Sequence, residues 1–564
     1  MKALRLVTDR LGRQQRLIVD AALLGVAGAF AAQLFTYLLR GATWLFLVTV
    51  AGYHPPGLPE EGGVLREVIG PHGLWLVPVT TAIGGLIVGF LVQRLAPETE
   101  GHGTDTVVHA FHRAEGALRG RVAPVKLLAS AITIGSGGAA GREGPIALAS
   151  GAVGSWYATT TGRTTAERRL LLLVGMAAGI AAIFRSPVGA ALFAIEVLYV
   201  DIEFESAALL PAVLASVVAY AVNGLFVGWR PLFRVSGPLA VSRPIDNAWY
   251  IVLGIGAGLV ATLVPLVFYG VRDAFRRLQI RPELKPALGG LLMGSLALAW
   301  PQVIGGGYGW MQEAIDGRLA AGTLVALVLA KPLAMSLTVS SGGSGGVFAP
   351  TLFVGAMLGG LLASLAHQPA APFVIVGMAA VFAGAAHVPV AALMMVTEMT
   401  GGYTLLVPAA LGVMVSYLVQ RRLSASVKYQ SLYEAQVAAR GDSPAHHAEH
   451  LRIALRLLKE RHVINPADLG QVDLLSLLRM GIPVELPGDR RIIIGVLRAD
   501  STYRQRPLGA DSGKLDGDTR IFAIIRGEHM MVPRPDTVLE PGDRLILLTT
   551  AAELEGLKQH VDKW

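Results

Sequence analysis

Apolar stretches recur along the chain to about residue 420, at 17–50, 74–95, 123–140, 170–199, 206–228, 248–271, 286–300, 321–340, 352–366, 373–400 and 404–419. A straight helix crossing a bilayer needs about 20 apolar residues, and several stretches reach that length. In hydrocarbon every backbone N–H and C=O must be satisfied inside the protein, which leaves helices or closed barrels. Other stretches are shorter, or are broken by Gly and Pro, as at 135–145 and 341–350. A broken helix is tolerated at membrane depth only where its freed backbone groups face protein or a water-filled cavity. The expected class is an all-α integral membrane protein of tilted and broken helices.

Composition supports that class and closes others. Of the residues, 53% are hydrophobic and 16% are charged, against about 25% charged in an average soluble domain. There is no cysteine, which excludes disulfides, thiol nucleophiles and Cys-ligated zinc or iron–sulfur sites. The formal net charge is +8, but the positive residues flank apolar runs and form no basic block interleaved with aromatics. No nucleic-acid partner is expected; the lipid bilayer is. Lys2, Arg5, Arg10, Arg13 and Arg16 precede the first run with only Asp9 against them, which puts the N-terminus in the cytoplasm. That run is too long for a signal-peptide core and lacks a small-residue cleavage site, so it reads as a retained span.

After Arg421 the composition changes. Residues 435–480 are polar and charged, and beyond Pro483 strand-like runs at 491–497, 521–525 and 544–548 alternate with turns. The expected organisation is a membrane domain over 1–435, a cytoplasmic linker over 436–474 and a small cytoplasmic α/β domain over 475–564. His446, His447 and His450 in the linker have helical spacing, but a solvated linker is the better reading than a metal site. No metal or other cofactor is expected.

An internal repeat is the most informative feature of the membrane part. Val174-Gly-Met-Ala-Ala178 aligns with Val376-Gly-Met-Ala-Ala380 at an offset of 202, and without a gap Pro187 falls on Pro389 and Glu196 on Glu398. Ten of the 23 positions from 174 to 196 are identical. Each half also carries a glycine-rich break, Gly135-Ser-Gly-Gly-Ala-Ala-Gly-Arg-Glu-Gly-Pro145 and Ser341-Gly-Gly-Ser-Gly-Gly-Val-Phe-Ala-Pro350. Paired interrupted segments in two halves point to a transport site at their interface. Whether the halves run parallel or inverted is open at this stage.

The breaks have a plain chemical meaning. Their glycines let backbone N–H groups converge, Pro145 could open a helix, and helix N-termini attract anions. Glu143 stands in the first break, where its carboxylate would compete with a mobile anion for the same amides. The alternative is a tight helix–helix turn with Glu143 paired to Arg142. Intramembrane acids are costly and usually functional, which favours the first reading.

Gly141-Arg-Glu-Gly-Pro145, Gly346-Val-Phe-Ala-Pro350, the earlier Gly101-His-Gly103 and the Pro389…Glu398-Met-Thr400 segment resemble the CLC chloride channels and transporters over roughly residues 15–435. The resemblance implies a multi-pass protein of the cell membrane, a homodimer with one chloride path per subunit, built from two inverted repeats. It implies Glu143 as the gating glutamate. It also implies an anion held by backbone amides near Arg142, Glu143 and Gly144, and near Val347 and Phe348. The late tyrosine of the family, whose hydroxyl faces the anion, corresponds to Tyr433, with Tyr429 as the alternative. The family's first loop usually carries an anion-binding serine where this chain has His102 beside Gly103. An imidazole there could donate to an anion and titrates near neutral pH; the alternative is a neutral loop histidine bonded to backbone.

The residue after Glu196 is Val197. In exchangers of the family that position commonly holds the inner proton acceptor, and valine cannot carry a proton. A side chain one position away on a helix points about 100° elsewhere, so Glu196 is a poor substitute; Asp201 and Glu203 could supply a detour. This favours a channel, with a chloride/proton antiporter as the alternative. The tail, through Pro533-Arg-Pro-Asp-Thr-Val-Leu-Glu-Pro-Gly-Asp543, resembles the TrkA-C (RCK C-terminal) domain over about 475–560. That resemblance implies a regulatory module and a small ligand at a dimer interface. A potassium transport subunit is the remote alternative, weakened by the lack of a Thr-Val-Gly-Tyr-Gly-like carbonyl filter. An enzyme is not expected, because the membrane part has neither a His/Asp metal cluster nor a Ser–His pairing.

Overall fold

A computed structural model describes residues 12–235, 247–446, 484–486, 490–498, 500–503, 507–508, 514–515, 519–526, 529–550, 553–557 and 560–563. Lys2, Arg5, Arg10, His447, His450 and most of the expected linker lie outside the described residues. The chain forms two compact units, Met1–Gln436 and Val437–Trp564.

The first unit is helical and its halves repeat helix for helix. The first half holds α1 (Arg13–Thr43), α2 (Val77–Leu95), α3 (Thr104–Arg113), α4 (Val122–Gly135), α5 (Glu143–Thr160), α6 (Thr165–Phe184), α7 (Pro187–Glu196) and α8 (Ser206–Val227). The second holds α9 (Asn247–Arg277), α10 (Lys285–Ala299), α11 (Tyr308–Ile315), α12 (Ala321–Val339), α13 (Phe348–Leu365), α14 (Ala370–Ala386), α15 (Pro389–Thr400) and α16 (Leu406–Ser424). α1 and its counterpart α9 are both 31 residues long. α1 runs on through a π-helical turn, Trp44–Val50. Among the described residues seven helical segments are long and apolar enough to cross a membrane.

The apolar runs are broken where local chemistry demands it. The stretch 170–199 becomes α6 and α7 because Arg185 takes a left-handed conformation and Pro187 cannot continue the preceding hydrogen-bond ladder. His387 and Pro389 part α14 from α15 in the same way. α6 starts on a reciprocal cap, Thr164 Oγ1 accepting from the Glu167 N–H and Glu167 Oε2 from the Thr164 N–H.

The two halves are inverted, and their reciprocal contacts define the axis. Glu196 at the end of α7 accepts from the Val390 and Ala391 amides at the start of α15. Glu398 at the end of α15 accepts from the Val188 and Gly189 amides at the start of α7 and from the Ser186 hydroxyl. Each helix therefore places its carboxylate on the positive end of the other, which requires the pair to run antiparallel. Gly141 and Gly346 exchange N–H···O=C bonds of 2.8 Å. Ser344 N donates to Thr133 Oγ1 while Ala139 N donates to Thr338 Oγ1.

Between α1 and α2 the chain makes a two-stranded hairpin, β1 (Tyr53–His54) with β2 (Val68–Ile69). Nothing in the apolar pattern announced it. Arginines from four places hold its connecting loop. Arg142 pairs with Glu61, Arg234 pairs with Glu60, and Arg185 and Arg40 donate to the Glu60 and Glu61 carbonyls.

The second unit is an antiparallel sheet of β3 (Val484–Leu486), β4 (Arg490–Leu497), β5 (Arg520–Arg526), β6 (His529–Met531), β7 (Arg544–Thr550) and β8 (Val561–Lys563), with a short helix, Leu554–Leu557. The order is β3-β4-β7-β5-β6, with β8 also on β4. β4 pairs with β7 from Arg490 opposite Thr550 to Val496 opposite Arg544. Leu497, Ile521, Ile524, Leu539, Leu545, Leu547 and Val561 form its core. Buried Asp543 accepts from Arg526 and from the Glu540 amide, fixing the turn before β7.

Candidate functional site

Inversion brings the two glycine-rich breaks face to face, so that α5 and α13 start beside each other around the Gly141–Gly346 pair. Glu143 is the first residue of α5 and is buried, 2% exposed. Its Oε1 accepts from the Phe348 amide, the first N–H of α13, and Oε2 has no partner. A methyl group added at either Gly141 or Gly346 would overlap this carboxylate, so the glycines make the space that it fills. An amide at the start of an 18-residue apolar helix is a natural anion ligand. The carboxylate thus occupies a place where a free anion would bind.

The pairing of Glu143 with Arg142, held open from the sequence, does not form: Arg142 Nη1 reaches Glu61 Oε1 at 2.8 Å. Gly144 packs so closely on the His102 carbonyl that it admits no side chain.

His102 sits in the turn before α3. Gly101 and Gly103 on either side have positive φ, 73° and 88°, leaving position 102 as the one in the turn that suits a side chain. The ring is buried, Nδ1 has no partner, and its centroid lies 5.4 Å from that of Tyr433. The Tyr433 hydroxyl is buried near Thr104 and has no other partner among the described residues. Tyr429 instead stacks on Tyr269 at 4.1 Å, which leaves Tyr433 as the tyrosine beside His102. Val347 caps the start of α13, and both it and Phe348 are buried. Residues 102, 103, 142–144, 347–348 and 433 are therefore drawn from four separate segments of the first unit. Val197 is buried at the end of α7, where its carbonyl accepts from Gln436 Nε2 at 3.1 Å.

A cavity of about 650 Å³ leads to this turn, lined by Gly101, His102 and Gly103 with Asp105, His109, Arg113, Arg272, Arg276, Lys285 and Glu434 among others. Asp105 accepts from the Ala435 amide at 2.7 Å, and Arg272 pairs with Glu434. The rim is thus polar and of mixed sign, suited to hydrated ions.

Two buried lysines were missed from the sequence. Lys126 Nζ donates to the Thr99 and Gly101 carbonyls at 3.0 and 2.7 Å; Lys331 Nζ donates to the Val303 and Gly305 carbonyls at 2.7 Å each. Both are fully buried. Each anchors a glycine turn. Their matching places in the apolar runs 123–140 and 321–340 were the available signal.

Comparison with known proteins gives the family. The family model described as "Voltage gated chloride channel" matches residues 84–421, and that of the TrkA-C domain matches residues 487–561. The "H(+)/Cl(-) exchange transporter ClcA" of Cronobacter sakazakii is 29% identical over 436 residues, covering 75% of this chain and 90% of the relative. The "Voltage-gated ClC-type chloride channel ClcB" of Escherichia coli is 30% identical over 434 residues, covering 75% and 99%. Among solved structures, a slow cyanobacterial Cl−/H+ antiporter superposes with a TM-score of 0.63 at 23% identity, covering 73% of this chain and 96% of that one. A CLC-type fluoride/proton antiporter also gives 0.63, at 21% identity, covering 76% and 98%. The chain belongs to the CLC family of chloride channels and transporters, a multi-pass membrane protein with a TrkA-C domain at its C-terminal end.

Proposed function

We propose that the protein is a chloride/proton exchanger of the cell membrane. It works as a homodimer with one anion path per subunit, its N-terminus and TrkA-C domain in the cytoplasm. The observation that carries this reading is Glu143, a buried carboxylate seated on the Phe348 amide. A proton on Glu143 weakens its hold on that amide and admits an anion; the anion's departure lets the carboxylate return. In this cycle the amides near Val347, Phe348 and Arg142–Gly144, with His102, Gly103 and Tyr433, hold the anion. The TrkA-C domain tunes turnover, through a small ligand of unassigned identity.

Exchange replaces the channel expected from Val197. It is favoured by relatives named as H+/Cl− exchange transporters and by neighbours solved as antiporters. Val197 is a genuine obstacle, and Glu196 does not remove it, because both its oxygens are taken up by the Val390 and Ala391 amides. Asp201 is paired with Arg421. The acids and histidines facing the large cavity are instead Glu98, Glu100, His102, Asp105, His109 and the Arg272-paired Glu434, and protons enter among them.

In proteoliposomes a chloride gradient is expected to drive protons against their own gradient. Glu143→Gln should keep anion flux and abolish proton movement, and His102→Ser should slow protons more than chloride. Anion current that reverses at the chloride equilibrium potential without proton movement would overturn exchange and restore the channel that Val197 favours.

A further inference from the structure

The two-fold relation that sets the Gly101–Gly103 turn at one cavity gives it a counterpart, Gly305-Gly-Gly307. This turn opens α11 as the other opens α3. Its first and third glycines also have positive φ, 60° and 79°, and Lys331 ties it down as Lys126 ties the first. It lines a separate cavity of about 170 Å³ with Tyr308, Arg142, Glu61 and residues 55–58 of the hairpin segment.

Arg142 in that cavity is 6% exposed. Nη1 donates to Glu61, and beyond the contact that the guanidinium and the Tyr308 hydroxyl make with each other, buried Nε, Nη2 and that hydroxyl have no partner among the described residues. The guanidinium lies over the Tyr308 ring, 4.5 Å from its centroid. Buried donors are nearly always satisfied, and here three converge at a helix N-terminus with Glu61 as the one carboxylate on the cavity. The large cavity likewise holds an arginine paired with a glutamate, Arg272 with Glu434.

We propose that this cavity is a second anion site, taking a halide or another small monovalent anion on Arg142 Nε and Nη2 and the Tyr308 hydroxyl. It holds the ion at the opposite mouth, one residue from Glu143. Glu61 opposes binding by placing a negative charge on the same guanidinium. The proposal rests on anion transport by the family and is independent of proton coupling.

The test is the chloride dependence of flux in liposomes, with chloride varied on each side in turn. Tyr308→Phe removes one hydrogen bond to an anion and should raise half-saturating chloride about tenfold on one face only, a larger change than in maximal rate. Glu61→Gln should lower it on that face, with Glu61→Asp returning the parent value. Bromide-soaked crystals of the full chain should show an anomalous peak within hydrogen-bond reach of Arg142 and Tyr308. No such peak, or a peak with parent-like chloride dependence on both faces in Tyr308→Phe, would overturn the site. Persistence of proton pumping in either variant leaves the exchange reading intact.

Discussion

Glu143 and its neighbours make the most specific claim at the scale of single residues. In the proposed cycle the carboxylate competes with an anion for the Phe348 amide, so lowering pH should raise anion flux by neutralising it. Glu143→Gln should conduct more and lose that pH dependence; a variant as pH-sensitive as the parent would remove Glu143 from the gate. The space for the carboxylate depends on absent side chains. Gly346→Ala would put a methyl group into it and is expected to mimic the open state, or to abolish flux if α13 shifts instead. Lys126 gives a third residue-scale outcome. Lys126→Met deletes two charge-assisted hydrogen bonds to carbonyls, and about 2 kcal/mol of stability should go with them. That loss would be read as a lower unfolding midpoint in detergent.

α7 and α15 show how two elements are held by swapped ends. Glu196 and Glu398 are intramembrane acids, a class that is usually functional, yet each is satisfied by amides of the facing helix. Their repeat symmetry already hinted at a shared structural role, and the reciprocal capping supplies its mechanism. Glu398→Ala strands two helix-start amides and is expected to lower stability by roughly 2–3 kcal/mol. Glu196→Gln should lower the unfolding midpoint while leaving the proton-to-chloride ratio at the parent value. A changed ratio would make Glu196 part of the proton route after all.

For the whole molecule, the two units divide the work. The membrane unit contains both helix ends, the carboxylate and the cavities, whereas the second unit has its own sheet and core. Truncation after Ala445 is expected to leave a folded, anion-permeable dimer with altered regulation, measured by size-exclusion light scattering and flux. A well-folded truncation without flux would mean that the second unit is needed for transport itself.

The sequence by itself settled what depends on local pattern. Apolar runs declared the membrane class, Gly and Pro marked where helices break, and the Val174–Glu196 repeat announced two related halves. Three strand-like runs in the tail lie within β4, β5 and β7. Glu143 stood out because a lone acid in a glycine-rich intramembrane loop has few other reasons to be there. What the sequence left open depended on contacts between residues far apart in the chain. Whether the halves ran parallel or inverted was decided by carboxylates capping helices some 200 positions away. Of Tyr433 and Tyr429, only the packed structure shows that the first ring meets His102 and the second meets Tyr269. Glu61 carried no signal at all, since an acid in a polar loop looks solvated until folding brings Arg142 against it. Periodicity reports which face of a helix avoids water; it is silent on which distant group supplies the partner for a buried charge, and only the packed structure decides that.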